Sequence, residues 1–288
     1  MDSVTVSRVG VIGGGLMGSG IAEVCGRAGC PTIVVETDAA AAERALKKIH
    51  SSMERAVSSG KLEAEVRDRA LDLITVTHDF LALHDRDLVV EAILEDEAAK
   101  TDVFRRLDDV VSSPTAVLAS NTSSIPIMKL AMATQRPAQV VGIHFFNPVP
   151  VLKLVELVTS LLTSSETAAV AEHFAADTLH KRVIRSKDRA GFIVNALLIP
   201  YILQAIRMME SGFATADDID AGMVEGCAHP MGPLRLCDLI GLDTTMAVAE
   251  SLYTEFKEQL YAPPPLLSRM VEAGLLGRKS GRGFYVYR

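Results

Sequence analysis

Residues able to do chemistry gather in a few short segments of this chain. The first is Gly13-Gly14-Gly15-Leu16-Met17-Gly18, a G-x-G-x-x-G pattern directly after an apolar run that ends at Ile12. In such a pattern Gly13 permits a tight turn and Gly15 lets backbone approach a pyrophosphate. Gly18 lets the next helix lie close to the strand. The phosphates would then meet free N–H groups at the positive end of that helix, with Leu16 and Met17 in its opening turn. Glycine turns are also common structural features, so the pattern needs a partner. Glu36 supplies one. It closes the run Thr32-Ile33-Val34-Val35, 18 residues past Gly18, near the ~20 expected for the acid that hydrogen-bonds an adenosine ribose. Its carboxylate would repel a 2′-phosphate, so the two segments together read as a site for NAD rather than NADP. Asp38, two residues on, suits a helix N-cap.

Three segments further on carry polar groups at apolar run ends. Ser120-Asn121-Thr122-Ser123-Ser124 follows Val117-Leu118-Ala119 and reads as a functional loop or as a Ser/Thr-rich turn and cap. His144 lies in Val140-Val141-Gly142-Ile143-His144-Phe145-Phe146-Asn147-Pro148. Glu156 lies in Leu154-Val155-Glu156-Leu157-Val158, where a carboxylate is costly to bury without a partner. His144, twelve residues earlier across the Pro148–Pro150 turn, is the nearest candidate. If the two runs are neighbouring strands, Glu156 can orient one imidazole nitrogen and leave the other free to take a proton. A structural His–Glu pair fits the same pattern.

These groups need elements to hold them at strand ends. Short β-branched runs alternate with amphipathic stretches, the pattern of βαβ units on a parallel sheet. Strands are expected over 8–12, 31–36, 71–76, 87–92, 116–120 and 139–144, with 155–159 and 182–185 extending the sheet. Helices are expected over 16–28, 39–59, 97–111 and 165–180. The expected fold class is α/β: a Rossmann-like, doubly wound parallel sheet with ligands at the carboxyl ends of its strands. From Gly191 the pattern turns helical, over 192–209, 217–225, 244–256 and 265–273. The polar segment 185–192 suits a hinge. The expected domains are therefore 1–188, an NAD-binding unit with a helical insertion, and 189–288, an all-helical unit.

Composition removes several function classes. Apolar residues at 49% and charged residues at 23% describe an ordinary globular protein. The 29 Lys and Arg against 36 Asp and Glu leave a net charge of −7, which argues against a nucleic-acid partner. No run reaches the ~18 apolar residues of a membrane span, and the first residues lack the features of a targeting peptide. Cys25, Cys30, Cys227 and Cys237 have no metal-ligand spacing, so no metal is expected and they read as reduced packing residues. The expected setting is the cytoplasm.

Several motifs occur in order along the whole chain: GGGLMG at 13–18, VVEAILED at 89–96, SNTSS at 120–124 and HFFNPVPVLKLVEL at 144–157. GFIVN at 191–195, HPMGP at 229–233, DLIGLDT at 238–244 and GRKSGRGFYVY at 277–287 follow. In these the chain resembles the 3-hydroxyacyl-CoA dehydrogenases, in particular the stand-alone bacterial members that act on 3-hydroxybutyryl-CoA, without a fused hydratase domain. The resemblance implies oxidation of an (S)-3-hydroxyacyl-CoA to the 3-oxoacyl-CoA with NAD, and a helical C-terminal domain for substrate binding and homodimerisation. It implies His144 and Glu156 as the catalytic pair, Ser123 and Asn195 as groups that hold substrate, and Asn147 in the site wall. Toward NAD it points to the glycine loop, Glu36, Asn121 and Ser123, with Glu95 and Lys100 near the nicotinamide ribose.

For coenzyme A the resemblance points to a serine and a lysine in the helical insertion. Ser52 fits the serine, but the lysine position falls on Ser59, leaving Arg55 or Lys61 as substitutes. Residues 44–61 hold Arg44, Lys47, Lys48, Arg55 and Lys61 against Glu54 alone, a basic stretch in an acidic chain that suits phosphates or a solvated helix face. Two other functions fit the sequence: a dehydrogenase of another 3-hydroxy acid or of dicarboxylic acyl-CoAs, and a catalytically silent NAD-binding protein.

Overall fold

A computed structural model describes residues 6–287 of the 288. The chain forms two compact units, one running to Asp188 and the other from Arg189.

The first unit is built on one sheet of eight strands in the order β3-β2-β1-β4-β5-β6-β7-β8. The strands are β1 (Val9–Ile12), β2 (Thr32–Val35), β3 (Ile74–Thr77), β4 (Leu88–Glu91), β5 (Val117–Ser120), β6 (Val140–Phe145), β7 (Leu154–Thr159) and β8 (Arg182–Lys187). The first six are parallel. All residues of β1, β4, β5 and β6 are buried, so these strands carry near-continuous apolar runs rather than alternating ones. β7 turns back antiparallel to β6, and β8 runs parallel to β7. Strand order reverses at β1, between β2 and β4, and the crevice at such a reversal is where ligands bind in doubly wound sheets.

Helices cover the sheet: α1 (Leu16–Arg27), α2 (Ala39–Ser58), α3 (Ala64–Asp72), α4 (Glu97–Val110), α5 (Ile127–Ala131) and α6 (Ser165–His173). Asp38 caps α2, its Oδ1 accepting the Ala41 N–H at 2.7 Å. Ile21, Ile49, Met53, Val11, Val34 and Val90 share one core beneath α1 and α2. The structure corrects two expectations here and adds a helix. The strand expected over 71–76 begins at Ile74, because residues through Asp72 belong to α3, a short charged helix that buries only Ala70. The helix expected over 165–180 ends at His173, passes through a wider π turn at Phe174–Thr178 and stops before His180, at φ 53°. Helix α5, with five residues, was too short to show a period.

The second unit is helical: α7 (Val194–Glu210), α8 (Ala216–Cys227), α9 (Pro233–Ile240), α10 (Leu242–Phe256) and α11 (Pro265–Glu272). Its core joins Ile199, Leu203 and Ile206 to Leu234, Leu242, Leu252 and Leu267. α7 starts two residues later than the expected 192, because Gly191 and Phe192 both have positive φ, 72° and 49°. α9 was not expected. Its Leu234 and Arg235 N–H groups are received by the buried Asp220 at 2.8 and 3.0 Å, a cap lent by α8 rather than written beside the helix.

Candidate active site

Strand register brings the histidine and the glutamate together. His144 on β6 lies directly opposite Glu156 on β7, and His144 Nδ1 is 2.7 Å from Glu156 Oε2. The histidine is 4% exposed and the glutamate 0%. A carboxylate has no proton to donate, so Nδ1–H donates to Glu156, and in the neutral imidazole Nε2 then carries the lone pair. Ser123 Oγ stands 3.0 Å from that Nε2. The Phe146 ring packs on the imidazole with centroids 4.6 Å apart. The result is a fixed tautomer with its basic nitrogen presented at the carboxyl end of β6.

Ser123 belongs to the turn after β5, and that turn is strongly held. Glu95 Oε1 accepts from Thr122 Oγ1 (2.5 Å), Ser123 N (2.8 Å), Ser124 N (3.0 Å) and Ser124 Oγ (3.0 Å). Its other oxygen, Oε2, lies 3.3 Å from Lys100 Nζ. Burial works against charge on Glu95. Lys100 and the hydrogen bonds of the turn outweigh it and hold the carboxyl below its ordinary range. Lys100 is itself 1% exposed and pairs with the buried Glu91 at 2.6 Å. Any contact of this pair with a ligand therefore falls to Glu95, whose side chain is one-third open. Asn121 Oδ1 accepts the Phe145 N–H at 2.9 Å, tying the turn to the strand that carries His144.

At the β1–α1 turn the glycines behave as their spacing suggests. Gly13 has φ +88°, and a Cβ at Gly18 would overlap the Gly13 carbonyl oxygen. Glu36 Oε1 accepts the Gly14 N–H at 2.7 Å, so the acid sits beside the glycine loop. Leu16 is exposed and Met17 half-buried.

The remaining expected residues are less concentrated. Asn147 is exposed in the loop between β6 and β7. Ser52 is half-buried on α2, while Arg55 and Lys61 are exposed. Arg55 also lines a groove of about 660 Å³ between α2 and α3; Ser52 and Lys61 are not among its walls. Asn195 is half-buried in the first turn of α7, in the second unit. Sequence reasoning missed Glu91 and Ser120 as individual site residues. The available signal was the one that found Glu36: an acid ending an apolar strand, here Leu88–Glu91.

Two family patterns match this chain. One, described as 3-hydroxyacyl-CoA dehydrogenase, NAD binding domain, spans residues 8–189. The other, 3-hydroxyacyl-CoA dehydrogenase, C-terminal domain, spans 191–287. The chain belongs to the 3-hydroxyacyl-CoA dehydrogenase family. A Mycobacterium tuberculosis 3-hydroxybutyryl-CoA dehydrogenase is 59% identical over 285 residues, 99% of this chain and 100% of the relative. The crystal structure of M. tuberculosis FadB2 matches with a TM-score of 0.98 at 59% identity, covering 99% of this chain and 100% of that one. That of (S)-3-hydroxybutyryl-CoA dehydrogenase PaaH1 from Ralstonia eutropha matches at 0.93 and 42%, with the same coverage.

A 3-hydroxyacyl-CoA dehydrogenase must seat NAD, and the residues at β1–α1 fit it. A Cβ at Gly15 would meet no atom within 4 Å, so the loop is open where a pyrophosphate needs main chain. α1 begins there with neither a capping side chain nor an acid in its first turn, leaving its N–H groups and positive end for the phosphates. Among the described residues no helix is long and apolar enough to cross a membrane.

Proposed function

We propose that this 3-hydroxyacyl-CoA dehydrogenase acts on short acyl chains, interconverting (S)-3-hydroxybutyryl-CoA and acetoacetyl-CoA. The observation that carries the mechanism is His144 Nε2, set 3.0 Å from Ser123 Oγ while Nδ1 is held by Glu156 at 2.7 Å. In the oxidative direction the C3–H bond breaks as hydride and the C3 hydroxyl proton passes to Nε2. NAD, when bound, supplies the hydride acceptor. Glu156 stabilises the imidazolium that forms, and general-base assistance of this kind is typically worth ~10²–10⁴-fold. Ser123, 3.0 Å from Nε2, shares the substrate oxygen with His144, and Asn195 also donates to a substrate oxygen. Asn147 forms part of the wall.

For NAD, Gly13, Gly15, Leu16, Met17 and Gly18 receive the pyrophosphate and Glu36 the adenosine ribose. Asn121, Ser123 and Glu95 lie toward the nicotinamide end, with Lys100 acting through Glu95. Ser52, Arg55 and Lys61 contact coenzyme A from the helical insertion. The short-chain assignment draws on the relatives named 3-hydroxybutyryl-CoA dehydrogenase. The enzyme works in the cytoplasm as a homodimer through its helical unit, a reading supported by Leu197 of α7, 72% exposed, and Phe213, 79% exposed. A solution-scattering mass near twice 30.9 kDa is expected; a mass near 30.9 kDa would remove the dimer.

The deciding assay follows absorbance at 340 nm with NADH and 3-oxoacyl-CoA substrates of increasing chain length. Efficiency should be greatest at four carbons and fall as the chain grows. A maximum at long or dicarboxylic chains would overturn the short-chain assignment, and silence with every thioester would leave an NAD-binding protein.

A further inference from the structure

The turn that presents Ser123 is anchored by a fully buried carboxylate. Glu91 ends β4 with 0% exposure. Its Oε1 accepts from Lys100 Nζ at 2.6 Å and from the Ile93 N–H at 2.7 Å. Its Oε2 accepts from Ser120 Oγ at 2.6 Å. Both oxygens lead to the same place. Through Ser120, whose Oγ in turn accepts the Thr122 N–H at 3.1 Å, Glu91 reaches the start of the turn. Through Lys100 it reaches Glu95, and Glu95 Oε1 gathers four donors from residues 122–124.

We propose that Glu91 is a positioning residue for the reaction: by fixing Lys100 and Ser120 it holds the 122–124 turn so that Ser123 Oγ meets His144 Nε2. The inference rests on the reading of Ser123 as a substrate-holding group. Its physical basis is the placement of charge. Glu91 and Lys100 are both buried, and neither is tolerable there without the other. Lys100 is thereby pinned, with Glu95 Oε2 3.3 Å from the same ammonium. Without Glu91 the buried ammonium has Glu95 as its remaining carboxylate partner among the described residues. It then draws that carboxylate away from the turn, and Ser123 moves with it. Misplacement of a reacting group by about 1 Å can cost roughly 10²-fold in rate.

The test is a double-mutant cycle of Glu91→Gln with Ser123→Ala, read as kcat and KM with acetoacetyl-CoA and NADH. Glu91→Gln should lower kcat by at least about tenfold in the wild-type background, well within that ceiling, and by less than about twofold when Ser123 is already alanine. Such loss of additivity marks groups that act as one unit. Ser120→Ala removes only the hydroxyl route and leaves every charge in place. It should show the same non-additivity with a smaller loss, and it carries the test if Glu91→Gln does not fold. Equal losses from Glu91→Gln and from Ser120→Ala in both backgrounds would make Glu91 a purely structural residue and overturn the inference alone. Undiminished turnover in Ser123→Ala would overturn the Ser123 assignment and this inference with it.

Discussion

At the β1–α1 turn the groups proposed to meet a ligand are main chain, and at β6–β7 they are side chains. The glycine loop works through what it lacks: Gly15 leaves open space, Gly13 takes φ +88°, and α1 starts without a cap. One side chain, Glu36, completes it by accepting the Gly14 N–H. The other region is a chain of partners, Glu156 to His144 to Ser123, with the serine's turn gathered on Glu95. A binding site for a diphosphate needs directed N–H groups and little else. A proton-transfer site needs one nitrogen held in one tautomer, which takes a second and a third residue.

The largest effect should come from breaking the side-chain region. His144→Gln is expected to lower kcat by ~10²–10⁴-fold, while the dissociation constant for NADH, from fluorescence titration, changes by less than about threefold because the phosphates are assigned to main chain. Glu156→Gln should also lose turnover, since Nδ1 no longer has an acceptor-only partner. The double variant should be little worse than His144→Gln alone, because both residues serve one proton transfer. If His144→Gln costs as much in NADH affinity as in turnover, the two regions are not separable in this way.

A smaller effect, with the opposite signature, is expected at the glycine loop. Glu36→Ala removes the acceptor for the ribose and the repulsion toward a 2′-phosphate, and it also frees the Gly14 N–H held at 2.7 Å. KM for NADH should rise and KM for NADPH should fall, with kcat at saturating NADH nearly unchanged. A wild-type enzyme equally efficient with both coenzymes would remove Glu36 from this role.

The same contrast explains what could be read from the sequence. The glycine loop is local, so its pattern, the apolar run before it and the spacing to Glu36 together could be read along the chain. The His144–Glu156 pair is twelve residues apart, and a short turn between two apolar runs leaves an antiparallel register as the economical arrangement. Glu91, Ser120 and Lys100 were harder. Their partners lie on β4, β5 and α4, and three-dimensional adjacency across parallel strands leaves no spacing to count. Helix α9 escaped for a similar reason, since its cap is Asp220 from another helix. The 71–76 strand was misplaced because Leu71 looks alike at a helix end and in an apolar strand.

The smallest effect, and the one that separates ligand charge from ligand shape, is expected on α2. Arg44, Lys48 and Arg55 are exposed, and among the described residues none of them forms a salt bridge. Lys47 instead pairs with Glu43 at 2.6 Å, and Glu54 with Arg67 at 2.7 Å. Lys48 and Arg55 are seven residues apart, about two helical turns, and so share one face. Reversing both charges, Lys48→Glu with Arg55→Glu, should raise KM for acetoacetyl-CoA severalfold and leave KM for NADH nearly unchanged, because the proposed place for that coenzyme's pyrophosphate is the glycine loop. The acyl-CoA effect should shrink as salt rises, since the screening length falls from ~8 Å at physiological ionic strength to ~3 Å at 1 M. A pantetheine thioester of the same acyl group, which lacks the nucleotide phosphates, is the control. It should not distinguish the variant from the wild type. If it is impaired as badly as the full coenzyme A ester, these cations do not read phosphate. The loss would then lie in folding or in movement of the two units, and the basic stretch would be a solvated helix face.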